Sequence, residues 1–178
     1  MTEILWHGRG GQGAFTAARL LGAAFTLRED TGYALAFPSF GPERRGAPIR
    51  AFTKLDAKPI GNRSEVEKAD FSIFLDDTLF SKQAFEELKP NGKILLNTKQ
   101  VFSDPRIVTL DGNALAAEIL KLPITNTIML GVFAAVYDET LLEPIEEAIR
   151  QNMPGKLHEK NIAAVRAAAE EIRRGNSV

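Results

Sequence analysis

Glycines at positions 8, 10 and 13, in the run Gly8-Arg9-Gly10-Gly11-Gln12-Gly13, have the spacing of a loop that wraps an anion. Without a Cβ the backbone can approach a phosphate closely. The first free N–H groups of a following helix then point at it along the positive end of the helix dipole. The flanks supply that context, because Glu3 to Gly8 reads as a strand and the Ala/Leu-rich text after Gly13 as a helix. Arg9 adds a cation, and Gln12 is the loop's one side chain able both to donate to a ligand and to accept from it. Two readings fit these residues: an anion cradle, or a tight turn that packs the helix on the sheet.

A dinucleotide-binding fold with this spacing also carries an acid at the end of its second strand, about 20 residues on, to hold the ribose hydroxyls. Here the second strand, Tyr33 to Phe37, ends in Pro38-Ser39, while Glu29 and Asp30 lie before it, at the wrong end. The nicotinamide-dehydrogenase reading loses its second anchor. A stand-alone nucleotide-binding enzyme is disfavoured with it.

The second constellation is Pro38-Ser39-Phe40-Gly41-Pro42-Glu43-Arg44-Arg45-Gly46-Ala47-Pro48. It follows the C-terminal end of a strand, the edge where open α/β sheets bind ligands, so it should lie near the glycine loop. Arg44 and Arg45, in a loop stiffened by prolines, can present guanidinium forks to phosphate or carboxylate, and Glu43 can orient one of them. The plainer alternative is a surface loop with solvated charges. Chemistry by other residues is weaker. Asp76 and Asp77 are better explained as a helix cap than as an acid/base pair, since adjacent side chains at a strand end point apart. His7 reads as a hydrogen-bonded strand histidine, and Ser39 has no activating neighbour in sequence.

The elements that must position these residues alternate. Strands are expected at Glu3 to Gly8, Tyr33 to Phe37, Pro48 to Leu55, Asp70 to Leu75, Lys93 to Asn97 and Ile107 to Leu110. Helices are expected at Gln12 to Arg28, from the Asp76 cap to about Leu88, and at Ala114 to Leu120, with Lys89 to Gly92 as a turn. The last third reads as helical throughout. Thr125 or Asn126 caps an all-apolar helix, Ile128 to Tyr137. Leu141, Ile145, Ala148 and Ile149 mark the next helix, ended by Pro154-Gly155, and Ile162, Val165, Ala169 and Ile172 stripe the last. The fold class is therefore α/β: a Rossmann-like three-layer fold with a mostly parallel sheet and a helical C-terminal third. One domain is expected over residues 1–178, the helical segment from about 125 packing on the α/β core.

Composition narrows the chemistry. The chain of 178 residues has no cysteine, so it supplies no thiolate nucleophile, disulfide or iron–sulfur ligand. Its two histidines, His7 and His158, stand far apart, which disfavours a zinc site. A formal charge of −1 gives no field to recruit nucleic acid or membrane. No apolar run reaches the roughly 18 to 20 residues of a membrane span. The opening MTEILW enters a strand without leader features, and the expected location is cytoplasmic.

Taken together, the GRGGQG loop and the PSFGPERRGAP block closely resemble the γ subunit, or corresponding domain, of the pyruvate and other 2-oxoacid:ferredoxin oxidoreductases. The likeness is most specific over GQGAFTAARLLGAA and the Pro-Ser-aromatic-Gly-Pro-Glu-Arg-Arg-Gly block. It extends more loosely to NTIMLGVFAAV, from Asn126, where the family also has Asn before an apolar run. The small subunit of indolepyruvate oxidoreductase is similar in its glycine loop but lacks the Pro-Glu-Arg-Arg run, which makes it the second choice.

The resemblance implies a chain that works only inside a larger enzyme. The family decarboxylates a 2-oxoacid on thiamine diphosphate, sends electrons through iron–sulfur clusters to ferredoxin and passes the acyl group to coenzyme A. Thiamine diphosphate, magnesium and the clusters are then expected on α, β and δ-type partner subunits, because this chain has no Gly-Asp-Gly motif, P-loop or cysteine cluster. The γ portion is associated with coenzyme A binding and with completing the assembly. Gly8, Arg9, Gly10, Gly11, Gln12, Gly13, Ser39, Arg44, Arg45 and Asn126 are the expected binding residues, with no catalytic residue and no metal ligand. Arg44 and Arg45 either pair with coenzyme A phosphates or dock this subunit on the thiamine-bearing one.

Overall fold

Apolar residues alternate along the first strand, β1 (Thr2–Arg9), so that Ile4 and Trp6 face one side of the sheet and Leu5 and His7 the other. The computed structural model describes residues 1–28, 32–39, 41–42 and 44–175; Glu29, Asp30, Phe40 and Glu43, singled out above, lie outside them. The other strands are β2 (Tyr33–Pro38), β3 (Pro48–Asp56), β4 (Ala69–Phe74), β5 (Leu88–Asn97) and β6 (Ile107–Leu110). They form one sheet in the order β2-β3-β1-β4-β5-β6. Pairing is parallel from β1 through β4 and β5 to β6, and antiparallel where β3 meets β1 and β2. Only β3 runs against the rest, so the sheet is mostly parallel, as expected.

The helices gather on one face. They are α1 (Ala14–Thr26), the short α2 (Gly112–Leu115), α3 (Asn126–Tyr137), α4 (Leu142–Asn152) and α5 (His158–Gly175). Ile4, Trp6, Ile73 and Leu95 of the sheet share a core with Leu21, Phe133, Ile149 and Val165 from four helices. Trp6 is fully buried, and its indole N–H donates to the Thr53 hydroxyl at 3.1 Å. Thr53 donates in turn to the Ala18 carbonyl at 3.0 Å, fastening α1 to two strands. The helical last third matches expectation. Along α3 every residue from Asn126 to Ala134 is buried. The cap differs: the Thr125 hydroxyl donates to the Leu75 carbonyl at 3.3 Å instead of capping, and the Asn126 side chain accepts from the Thr127 N–H at 2.9 Å.

The far face carries a thinner layer. The helix expected from Asp76 to Leu88 is replaced by two 3-10 turns, Asp77–Leu79 and Lys82–Glu87, separated by extended backbone at Phe80 and Ser81. Packing explains the break. Phe80 meets Phe74, Phe85 and Phe102 edge-on. On one α-helix Phe80 and Phe85 would point about 140° apart and could not share that cluster. Lys89 to Gly92 is not a separate turn either. It lies within β5, where the pairing with β4 shifts register between Ala69 and Phe71. The helix expected at Ala114 to Leu120 becomes α2 followed by a wider π turn, Ala116–Leu120. Among the described residues no helix is long and apolar enough to cross a membrane.

Candidate functional site

Parallel strands β1 and β4 end side by side, and β3 begins next to β1, with Pro48 opposite Arg9. The loop after β1, the loop before β3 and the turn after β4 therefore meet at one edge. The arginine-bearing loop does reach the glycine loop as expected, though not because β2 is adjacent to β1. β2 is the edge strand, and it is β3 that carries the loop alongside β1.

The two loops are joined backbone to backbone. The Gly10 N–H donates to the Ala47 carbonyl at 2.9 Å, and the Gly46 N–H donates to the Gly10 carbonyl at 3.0 Å. Gly10 pairs with Arg45 as a parallel bridge. A Cβ on Gly10 would overlap the Arg44 carbonyl, so glycine here admits the second loop. Gly11 and Gly13 serve the turn itself, since their φ values of 94° and 81° lie in the left-handed region that side chains disfavour. Gly13 precedes α1, whose N-terminus receives no side-chain cap and has no acid in its first turn among the described residues. Such a helix end favours an anion. The Asn126 amide donates to the Gly13 carbonyl at 3.3 Å, joining the start of α3 to the same loop.

Arg9 and Gln12 are engaged within the protein. The Arg9 guanidinium donates to the Gly46 carbonyl at 3.1 Å and to the Thr78 hydroxyl at 2.9 Å, and its Nε lies 3.3 Å from Asp76. The Gln12 Oε1 accepts from the Arg9 N–H at 2.7 Å, while its Nε2 donates to Asp76 at 2.9 Å. Asp76 also accepts from the Thr78 N–H at 3.0 Å, which is the cap read from the sequence. Burial pushes the Asp76 carboxyl up, but hydrogen bonds from Thr78 and Gln12 and the nearby Arg9 charge outweigh it and hold it below the usual carboxylate range. Its bonds to Arg9 and Gln12 in the glycine loop were not visible in sequence. The only signal was an acid at the end of a strand that turned out to neighbour β1.

Arg44 and Arg45 are exposed, and neither guanidinium has a partner among the described residues. Gly8 is buried, against Ala14 and Leu75. Ser39 stands apart from this group. Its N–H donates to the Arg50 carbonyl at 2.9 Å, and with His7, Arg50, Glu65 and Leu79 it lines a groove of about 430 Å³. In that groove His7 stacks on Phe74 at 4.2 Å and bonds Glu87 at 3.0 Å. The hydrogen bond with His7 is the main reason the Glu87 carboxyl lies below its ordinary value. Among the described residues no cluster of three or more His, Asp or Glu side chains could hold a metal ion.

Fold and loops define a class: an α/β domain whose glycine-rich loop is fastened to an arginine-bearing loop at the edge of a mostly parallel sheet. A family model described as pyruvate ferredoxin/flavodoxin oxidoreductase matches residues 3–171. Pyruvate synthase subunit PorC of Methanothermobacter thermautotrophicus is 45% identical over 176 residues, covering 97% of this chain and 96% of that one. The common γ subunit of the pyruvate/ketoisovalerate oxidoreductases of Pyrococcus furiosus is 40% identical, covering 96% and 97%. The crystal structure of the PORC subunit of Thermotoga maritima pyruvate oxidoreductase is similar with a TM-score of 0.80 at 35% identity, covering 95% of each chain. The chain belongs to the pyruvate ferredoxin/flavodoxin oxidoreductase family, as a γ subunit of a multi-subunit 2-oxoacid:ferredoxin oxidoreductase.

Proposed function

We propose that, within the assembled enzyme, this chain contributes phosphate contacts to coenzyme A and completes the complex, while the oxidative decarboxylation is carried out on its partners. One observation carries the reading. Arg44 and Arg45 extend, exposed and unpartnered among the described residues, from a turn fastened to Gly10 beside the uncapped end of α1. Two guanidinium forks and a helix end are complementary to a diphosphate, and a turn already fixed has little entropy left to lose. Gly11 and Gly13 supply backbone at the same edge, while Asn126 holds Gly13 in place.

Composition agrees with the division of labour that membership of the family implies. With no cysteine, the chain cannot ligate iron–sulfur clusters through thiolates, so these belong on partner subunits. Thiamine diphosphate and its magnesium belong there too, on α, β and δ-type chains, with ferredoxin as electron acceptor. The single-domain organisation, the cytoplasmic location and the inactivity of the lone chain are parts of the same reading.

The test is R44A combined with R45A in the assembled enzyme. The KM for coenzyme A should rise at least about tenfold, since charge-assisted contacts are about twice as strong as neutral ones, with the KM for the 2-oxoacid little changed. An unchanged coenzyme A dependence with the complex intact rules out the ligand role. Loss of co-purifying subunits assigns the arginines to docking instead.

A further inference from the structure

Asp76 lies where three segments converge, and its carboxylate takes donors on both oxygens. Oδ1 accepts from the Thr78 N–H at 3.0 Å and from the Thr78 hydroxyl at 2.5 Å. Oδ2 accepts from Gln12 Nε2 at 2.9 Å and lies 3.3 Å from Arg9 Nε. The side chain is only 18% exposed. The Arg9 guanidinium joins two segments: it meets Asp76 and Thr78 in the turn after β4, and Gly46 before β3. The guanidinium offers five N–H donors at fixed angles, so its contacts hold the two segments in one geometry.

From this geometry we infer that Asp76 is a positioning residue for coenzyme A capture, acting through Arg9 and Gln12 on the Arg44–Ala47 turn. The inference rests on the reading of Arg44 and Arg45 as coenzyme A contacts. The path is continuous. Asp76 orients Arg9, Arg9 donates to the Gly46 carbonyl, and Gly46 follows directly on the two arginines. In parallel, Asp76 fixes the Gln12 amide so that its oxygen meets the Arg9 N–H, which sets the glycine loop against which that turn is hydrogen-bonded. A bare carboxylate beside an anion site would repel the ligand. Arg9 offsets that charge, so the influence of Asp76 on the ligand is mainly geometric. An ionised acceptor at the centre of a half-buried network is also hard to replace, because its donors are left unpaired when it goes.

Steady-state kinetics of the assembled enzyme carrying Asp76→Asn tests this, with the same change repeated in the R44A/R45A background. The KM for coenzyme A should rise about tenfold, kcat and the 2-oxoacid KM should stay within about twofold, and the change should add nothing once both arginines are gone. A general folding defect would instead lower kcat and the yield of complex in both backgrounds, and would overturn the positioning role. Thr78→Val, at an exposed position, removes the hydroxyl shared by Asp76 and Arg9 without removing a charge, and should give a smaller rise of the same kind. It carries the test if Asp76→Asn does not assemble. An unchanged coenzyme A KM in these variants, with R44A/R45A raising it, overturns the role of Asp76 and leaves the arginine reading standing. A full additive effect in the R44A/R45A background also overturns it. An unchanged KM in R44A/R45A alone brings down both.

Discussion

A Cβ placed on Gly13 would stand 2.5 Å from the amide nitrogen of Asn126, so the glycine loop and the first turn of α3 fit together only while position 13 has no side chain. Backbone strain adds to that overlap, since Gly13 has φ 81°. Gly13→Ala should therefore lower stability by about 2 to 3 kcal/mol, the sum of left-handed strain and the displaced Asn126. Gly46 has nearly the same backbone, φ 82°, with nothing within 4 Å of its missing Cβ. Gly46→Ala should cost only the strain, about 1 kcal/mol. Denaturant unfolding of the two variants checks this, and equal losses would contradict it.

Asp76 makes the loop edge sensitive to acid. Its carboxyl is lowered when folded, so the stability it contributes is fully present above its ordinary value of 3.8 and is lost as pH falls through the lowered folded value. The stability gap between wild type and Asp76→Asn should stay constant from neutral pH down to about 5 and shrink below about 4. Denaturant midpoints across that range measure it. A gap that does not change in acid would remove the carboxylate as its cause.

His7 stacks on Phe74 and bonds Glu87, which gives it a structural role. His7→Gln keeps a group that can donate to Glu87 but loses the stacked ring. The expected loss is about 1 kcal/mol in thermal unfolding, with kcat of the assembled enzyme within about twofold of wild type. A kcat lowered by about two orders of magnitude, the scale of general acid–base catalysis, would instead make His7 a participant in the chemistry.

Apolar patterning located the six strands and the three long C-terminal helices, because α4 and α5 each bury one striped face and α3 is apolar on nearly all sides. It failed between Asp76 and Leu88, where Phe80 and Phe85 are drawn into one aromatic cluster that a single helix face cannot serve. At the site, residue types were legible and partners were not. Arg9 and Gln12 read as ligand contacts because one brings a cation to the loop and the other can both donate and accept. Asp76, which binds both, becomes their neighbour only when β4 pairs beside β1. Gly10 looked like room for a phosphate, yet the space beside it is filled by the Arg44 carbonyl. That contact too depends on β3 returning antiparallel to β1, an event that spacing along the chain does not encode.

If the loops of this γ subunit hold coenzyme A in the assembled enzyme, calorimetric titration of coenzyme A into the intact complex will show it most directly. The complex carrying R44A and R45A should bind at least about tenfold more weakly than wild type, with its subunits still together. Equal affinity in the two intact complexes would contradict that role.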